Sequence, residues 1–154
     1  MNIGIIYATN SGSTFEVANL ISTKLAEKTH QVEVKNISEV THDDLGKYEV
    51  VLLGSPSWEY EGNEGYPQAD FVGFMNGVTE DKKFPQTKFA IFGLGDKNYA
   101  IFCGAVDHMT KFVEKIQGQI LCEPLKIDAY YNDMTAGQTA VQTWLDTQLL
   151  PKLG

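Results

Sequence analysis

Five short runs of mostly apolar, often β-branched residues recur along the chain, each long enough for a strand and too short for a helix. They lie at residues 3–7, 32–37, 50–54, 89–93 and 120–127. Continuous or nearly continuous apolar runs are typical of strands that are covered on both faces, as in a parallel sheet. The pattern therefore predicts five buried parallel strands.

Between these runs, apolar residues recur every three or four positions, as on one face of a helix. The stripes are Val17, Ala18, Ile21 and Leu25; Phe71, Phe74 and Met75; Val106, Met109, Val113 and Ile116; and Val141, Trp144, Leu145 and Leu149. The second crossover is short, and its sequence Thr41-His42-Asp43-Asp44 indicates a capping box. Because each parallel connection needs a right-handed crossover, the alternation predicts an α/β, doubly wound, three-layer fold.

The length and charge of the chain narrow the possible partners. A chain of 154 residues fits one domain, spanning residues 1–154, with no room for a second catalytic unit. It has 20 acidic and 12 basic residues, a formal net charge of −8, and every basic residue is a lysine. Nucleic-acid binding needs basic clusters and favours arginine, so this composition argues against it. The acidic surface instead favours basic protein partners, and we expect a monomer.

The cysteines and histidines do not suggest a metal site. Cys103 and Cys122 stand on different elements without metal-ligand spacing, and the three histidines do not cluster with them or with each other. We expect both thiols to be reduced, as is usual in the cytoplasm. The first strand begins at the N-terminus without a signal peptide, and no apolar run approaches the ~20 residues that cross a membrane. These observations predict a cytoplasmic protein without a membrane anchor.

The first strand ends at a turn of small neutral residues, Thr9-Asn10-Ser11-Gly12-Ser13-Thr14, which leads directly into the first helix. Such a junction leaves backbone N–H groups pointing outward, where the helix dipole favours an anion. The turn lacks both the lysine-containing loop of nucleotide-triphosphate sites and the three-glycine dinucleotide fingerprint. It therefore predicts a site for a single terminal phosphate, although an ordinary N-cap turn uses the same residue types.

Two further loops leave the carboxyl ends of strands, at residues 55–67 and 93–103, and these ends meet at one edge of a doubly wound sheet. The first loop carries Trp58 and Tyr60, and the second carries Tyr99. Aromatic rings just past a buried strand either cap the sheet edge or contact a ligand. Together with the phosphate turn, they favour a flat aromatic ligand that carries a phosphate.

Three motifs make the chain resemble the flavodoxin family. The Thr/Ser-x-Thr/Ser-Gly-x-Thr phosphate loop matches residues 9–14, the aromatic second loop matches Ser57-Trp58, and the Gly-x-Gly-Asp-x-x-Tyr-x-x-Phe-Cys-x-Ala segment matches Gly93 to Ala105. The resemblance covers essentially the whole chain and implies a five-stranded parallel sheet of order 2-1-3-4-5. The last helix follows soon after the fifth strand, so the chain resembles the short-chain type, without the long insertion.

The resemblance implies non-covalent binding of FMN and suggests which residues hold it. The expected residues are Thr9, Asn10, Ser11, Gly12, Ser13 and Thr14 on the phosphate; Pro56, Ser57, Trp58, Glu59 and Tyr60 in the second loop; and Leu94, Gly95, Asp96, Tyr99, Phe102 and Cys103 in the third. Trp58 and Tyr99 would sandwich the isoalloxazine ring, with Tyr60 as the alternative to Trp58. Asp96 would face the pyrimidine edge of the flavin, whereas Phe102 and Cys103 would close the inner wall.

Glu59 occupies the position whose backbone carbonyl, in the family, turns to meet the flavin N5–H on reduction. Glycine is common there because it changes conformation without a side-chain penalty, so glutamate should weaken the stabilisation of the half-reduced flavin. Seven acidic residues and no lysine lie between Glu49 and Asp81, both included. Those in the second loop would lie beside the flavin, where their field disfavours negative charge on the reduced flavin and therefore predicts a low potential for the second electron.

The sequence therefore predicts a low-potential one-electron carrier, not an enzyme, that shuttles between a reductase and acceptor enzymes with basic surfaces. A small FMN-dependent NAD(P)H quinone or azo reductase shares the fold, but it needs an open flavin face, which Trp58 and Tyr99 would cover. A receiver-like module without redox function also shares the sheet order. That module needs an aspartate at the end of the third strand, where this chain has Gly54-Ser55.

Overall fold

A parallel sheet carries the functional loops, and the computed structural model describes it within residues 1–153. The strands are β1 (Asn2–Tyr7), β2 (Gln31–Asn36), β3 (Val50–Pro56), β4 (Trp58–Tyr60), β5 (Asn63–Tyr66), β6 (Lys88–Gly95), β7 (Gln119–Ile120) and β8 (Leu125–Asp128). The sheet has the order β2-β1-β3-β6, and β7 and β8 both pair with β6. Every pair in it is parallel, so the predicted α/β fold and the strand order 2-1-3-4-5 are confirmed.

The fifth predicted strand is divided in the structure. Instead of one strand over residues 120–127, two short strands pair with different parts of β6. The Leu121 N–H still donates to the Phe89 carbonyl at 2.8 Å, and the ladder then breaks until Leu125. Pro124 lies in the break, and proline has no N–H to donate to a sheet ladder.

Helices cover both faces of the sheet. The α-helices are α1 (Ser13–Glu27), α2 (Ala69–Asn76), α3 (Gly104–Lys115), α4 (Met134–Trp144) and α5 (Leu150–Leu153). A π-helical turn at Leu145–Leu149 joins α4 to α5, so the predicted C-terminal helix is not uniform. The crossover from β2 to β3 contains two short 3-10 turns, Ile37–Glu39 and His42–Lys47. The predicted capping box begins the second turn, where the Asp44 carboxylate accepts from the Thr41 N–H at 2.7 Å.

Two apolar cores lie on opposite faces of the sheet. Ile3 and Ile5 of β1 belong to the core that includes α1 and α4, whereas Ile6 belongs to the core that includes α2 and α3. All three side chains are fully buried. Successive strand residues face opposite sides, so one continuous apolar run serves both cores. This arrangement leaves the carboxyl ends of the strands free to carry ligand-binding loops.

The loop after β3 forms an antiparallel hairpin of β4 and β5, which the sequence pattern did not predict. Glu61 and Gly62 make its two-residue turn, and both have positive φ (50° and 82°), as in a type I′ turn. β5 carries one extra residue between its two pairs with β4. Gly65 lies in this bulge with a φ of 77°, in the left-handed region that glycine adopts without strain.

No helix within residues 1–153 is both long and apolar enough to cross a bilayer. Over the same residues, no group of three or more His, Cys, Asp or Glu side chains is placed to hold a metal ion. Cys103 and Cys122 are free thiols.

Candidate functional site

The three predicted loops converge on one cavity of about 330 Å³ at the carboxyl ends of β1, β3 and β6. A fourth segment, directly after β8, completes its wall. The lining residues are Thr9, Asn10, Ser11, Ser13, Thr14, Pro56, Ser57, Trp58, Glu59, Glu64, Gly65, Leu94, Gly95, Asp96, Tyr99, Ile101, Tyr130 and Tyr131. A cavity of this volume suits a small organic ligand.

The turn at residues 9–14 keeps backbone donors available to a ligand. Gly12 precedes α1 with a φ of 97°, and its N–H donates to the Thr9 hydroxyl at 2.9 Å. The Gly12 carbonyl accepts from the Glu16 N–H at 3.0 Å, which begins the helix. Within the described chain, the N–H groups of this turn that have no protein acceptor include those of Asn10, Ser11, Ser13 and Thr14.

The Thr14 hydroxyl is buried without a partner. The residue is only 1% exposed, and its Oγ1 atom meets no hydrogen-bonding group among residues 1–153. Leaving a buried polar group unsatisfied costs about 1–3 kcal/mol. Thr14 stands in the first turn of α1, at the positive end of the helix dipole. An anion in the turn would satisfy the hydroxyl, the N–H groups and the dipole together, so these residues fit a phosphate.

Two exposed aromatic rings line the same cavity. Trp58 is 60% exposed and Tyr99 is 64% exposed. Large rings gain free energy from burial, so rings this exposed beside a cavity favour a ligand in contact with them. Tyr60, the alternative to Trp58, does not line the cavity and packs against Tyr66, with ring centroids 5.7 Å apart.

Hydrogen bonds and stacking hold the second loop in place. The Ser57 N–H donates to the Leu94 carbonyl at 2.8 Å, and the Ser57 hydroxyl accepts from the Ala105 N–H at 3.0 Å. Behind the hairpin, the Tyr66 ring stacks on His108 of α3, with centroids 4.1 Å apart. Burial at this contact lowers the pKa of His108. These contacts hold β4, the strand that carries Trp58, in place.

Asp96, in the third loop, is hydrogen-bonded through both carboxylate oxygens. Its Oδ1 accepts from the Asn98 N–H at 2.8 Å, and its Oδ2 accepts from the Tyr131 hydroxyl at 3.3 Å. The Tyr99 N–H donates to the Asp96 carbonyl at 3.1 Å and closes a tight turn. Asp96 is thus a turn residue that satisfies nearby backbone, and it also brings a carboxylate to the cavity wall.

Four predicted site residues, Gly12, Tyr60, Phe102 and Cys103, do not line the cavity. Gly12 still shapes the phosphate turn, and Phe102 packs against the core that includes α2 and α3. Cys103 is fully buried behind Gly95, where an added Cβ would lie 2.9 Å from the Cys103 Sγ. Burial raises the pKa of the Cys103 thiol to about 12. Cys103 therefore supports the inner wall from behind Gly95 and is not itself among the lining residues.

Sequence reasoning missed several lining residues, namely Glu64, Gly65, Ile101, Tyr130 and Tyr131. Tyr130 and Tyr131 directly follow the fifth strand, so the carboxyl-end rule that found the other loops could have found them. Glu64 and Gly65 reach the cavity through the bulge of the hairpin, for which the sequence gives no apolar pattern. Ile101 packs close to this bulge, since a Cβ on Gly65 would lie 2.7 Å from its Cγ2.

Comparison with known proteins shows the family to which the chain belongs. The family model described as Flavodoxin matches residues 5–144. A flavodoxin of Maridesulfovibrio salexigens is 34% identical over 125 residues, covering 80% of this chain and 84% of that protein. A flavodoxin of Nitratidesulfovibrio vulgaris is 31% identical over 128 residues, covering 82% of this chain and 84% of that protein.

A solved structure shares the fold. The Fusobacterium nucleatum flavodoxin bound to flavin mononucleotide has a TM-score of 0.77 at 19% identity, covering 94% of this chain and 95% of that one. The family match extends from the first strand into α4 and includes all three loops that the sequence singled out. The chain belongs to the flavodoxin family.

Proposed function

We propose that this flavodoxin binds FMN in the cavity and carries single electrons at low potential between a reductase and acceptor enzymes with basic surfaces. As a member of its family, the chain is an electron-transfer protein with FMN as its cofactor, and it is not itself an enzyme. FMN, when bound, supplies the chemistry by accepting and releasing electrons one at a time. We assign this activity to a monomer in the cytoplasm.

The unpartnered Thr14 hydroxyl is the observation that carries the proposal. It lines the same cavity as Trp58 and Tyr99, so a phosphate-binding turn and two exposed rings serve one ligand. None of the described residues on the cavity wall is positively charged. The phosphate would therefore be held by N–H groups, hydroxyls and the helix dipole. A ligand with one phosphate and one flat ring fits these requirements, and FMN has both.

The charged side chains on the cavity wall support a low potential. Those within the described residues are Glu59, Glu64 and Asp96, all acidic. Carboxylates repel further negative charge, so they oppose the fully reduced, anionic flavin. For a one-electron couple, each ~1.4 kcal/mol corresponds to 59 mV, so a few kcal/mol shifts the potential by ~0.1 V. The same residues thus favour a protein that gives up its second electron readily.

The rim of the cavity suits brief docking to a basic protein. The exposed ring of Trp58 belongs to the acidic hairpin, whose turn carries the exposed Glu61, and the exposed ring of Tyr99 lines the same cavity. Opposite charges steer encounter and make association fast and salt-sensitive, without requiring a tight complex. A carrier needs such behaviour because it must leave each partner after transfer.

Reconstitution tests the proposal. The purified chain is titrated with FMN, reduced stepwise with dithionite, and then mixed with oxidised cytochrome c, a basic one-electron acceptor. We expect one FMN per chain, two separate one-electron steps, and electron transfer that slows as the salt concentration rises. A chain that takes up no FMN would contradict the cofactor assignment, and a rate independent of salt would contradict the basic partner surface. Reduction of the bound flavin by NADPH alone would instead favour the quinone or azo reductase.

A further inference from the structure

Tyr131 is an exposed tyrosine that the fold does not require for packing. It is 65% exposed, it belongs to neither apolar core, and it lines the cavity. Its hydroxyl donates to Oδ2 of Asp96 at 3.3 Å. An exposed tyrosine whose hydroxyl is hydrogen-bonded to a carboxylate on the cavity wall points to a role in ligand binding.

The backbone before Tyr131 is anchored to the sheet. The Ala129 N–H donates to the Gly95 carbonyl at 2.8 Å, and Ala129 has a φ of 43°, in the left-handed region. Tyr130 is only 4% exposed and packs over Gly137, where an added Cβ would lie 2.4 Å from its ring. Because Tyr130 is anchored inward, the next side chain is left on the outer side of the turn, beside the cavity.

A second hydrogen bond also joins the two segments that carry Tyr131 and Asp96. The Lys97 N–H donates to Oδ1 of Asp128 at 2.9 Å, independently of the tyrosine. The loops therefore do not depend on the Tyr131 hydroxyl to stay together. That hydroxyl is a donor at neutral pH, because a tyrosine is protonated below its ordinary pKa of about 10. Its hydrogen bond to the Asp96 carboxylate raises the pKa of Tyr131 further.

We propose that Tyr131 is a positioning residue for the flavin, whose hydroxyl holds the Asp96 carboxylate in one orientation and offsets part of its negative charge. This inference rests on the proposed binding of FMN. A hydrogen bond donated to a carboxylate is charge-assisted, and it reduces the repulsion between that carboxylate and nearby negative charge. Without the hydroxyl, Asp96 opposes the second electron more strongly.

Replacement of Tyr131 by phenylalanine tests the inference because it removes the donor and keeps the ring. We expect Tyr131→Phe to bind oxidised and half-reduced FMN as the wild type does and fully reduced FMN two- to five-fold less tightly. At 59 mV per tenfold change, that loss lowers the potential of the second electron by roughly 20–40 mV. In an Asp96→Ala background, the same substitution should cause no further shift, because the group on which it acts is gone.

Tyr48→Phe is a matched control. The Tyr48 hydroxyl donates to the Glu33 carboxylate at 2.6 Å, near the amino end of β3 and away from the cavity. Its removal should leave both potentials unchanged. An unaltered potential in Tyr131→Phe, or an equal shift in the Asp96→Ala background, would overturn the inference while FMN binding by the wild type stands. Failure of the proposed function would be distinct, since the wild type would take up no FMN, and it would overturn both.

Discussion

The backbones of Gly65 and Gly104 lie in contact, and this contact packs the hairpin of β4 and β5 against the first turn of α3. A Cβ on Gly104 would lie 2.6 Å from the Gly65 carbonyl oxygen and 2.8 Å from the Gly65 Cα. Both obstacles are backbone atoms, so no side-chain rotation could relieve the overlap. Gly65 also forms part of the cavity wall. The shape of the cavity therefore depends on the absence of a side chain at position 104.

Gly104→Ala should destabilise the protein and loosen its ligand, because the hairpin must move outward to make room. Overpacking of this kind costs about 1–3 kcal/mol of unfolding free energy. Gly73→Ala, in α2, is the control, since a Cβ there meets nothing within 4 Å and alanine favours helix by up to about 1 kcal/mol. Urea unfolding and FMN titration of both variants check this. Equal stability of the two variants would contradict the contact.

Thr14→Val should stabilise the chain without ligand and weaken its binding of FMN. Valine keeps the buried volume and removes the unpartnered hydroxyl, so the unfolding free energy should rise by about 1 kcal/mol or more. A hydrogen bond to a charged group is worth about 1.5–3 kcal/mol, so FMN affinity should fall by roughly ten- to a hundredfold. Riboflavin, which lacks the phosphate, should bind both proteins equally.

Thr110→Val is the matched control for Thr14→Val. The Thr110 hydroxyl is already bonded to the Val106 carbonyl at 2.8 Å within α3, so its removal offers no gain in stability. It should also leave FMN binding unchanged. If Thr14→Val bound FMN as tightly as the wild type, the Thr14 hydroxyl would not be a phosphate ligand.

The phosphate turn could be predicted because it depends on local sequence, whereas the sheet order was implied by the resemblance to the flavodoxin family. Small polar residues at positions 9–14 stand between an apolar strand and a helical stripe, and that junction alone implies free N–H groups. The divided fifth strand was also accessible in principle, since Pro124 interrupts its apolar run. These features need no knowledge of distant parts of the chain.

The hairpin and the orientation of Cys103 could not be predicted in this way. The hairpin has no alternating apolar pattern. Its contact with α3 depends on the glycine at position 104, which lies 39 positions after Gly65 in the sequence. Cys103 has a φ of 50°, which is unusual for a residue other than glycine and turns the chain just before α3. Tertiary packing imposes that conformation, so the motif match alone could not tell that the thiol lies behind the wall.

The stack of Tyr66 on His108 predicts that acid loosens the hairpin. Burial, aided by Lys111 and opposed by Asp107, lowers the pKa of His108 below its ordinary value of 6.5. The unfolded chain therefore binds a proton more readily than the folded one. The stability that neutral His108 contributes is present above pH 6.5 and is lost as the pH falls through the folded-state pKa.

His108→Phe isolates this effect, because phenylalanine keeps a stacking ring that cannot be protonated. Urea unfolding at several pH values from 7.5 to 5 should show a smaller loss of stability in the variant than in the wild type. Subtracting the two curves removes the titration of carboxylates that both proteins share. If the difference in unfolding free energy between the two proteins stayed constant over this pH range, protonation of His108 would not destabilise the fold.

Glu59→Gly should increase the fraction of half-reduced flavin at the midpoint of reduction. Glu59 lies in β4 between two backbone pairs, Trp58 with Tyr66 and Tyr60 with Asn63, so its peptide is restrained on both sides. Glycine lowers the cost of turning the carbonyl toward the flavin N5–H by an amount on the order of 1 kcal/mol. The two one-electron potentials should then separate by some tens of millivolts, at 59 mV per ~1.4 kcal/mol.

The substitution also removes a charge, and Glu59→Gln separates the two effects. Loss of the carboxylate alone favours the fully reduced flavin, so it raises the potential of the second electron and should lower the half-reduced fraction. The conformational freedom of glycine favours uptake of the first electron and raises the half-reduced fraction. That fraction should therefore be clearly larger in Glu59→Gly than in Glu59→Gln. Stepwise reduction with dithionite, followed by absorbance in the red, measures both variants. If glycine and glutamine gave the same fraction, the hairpin rather than the Glu59 side chain would be holding the peptide.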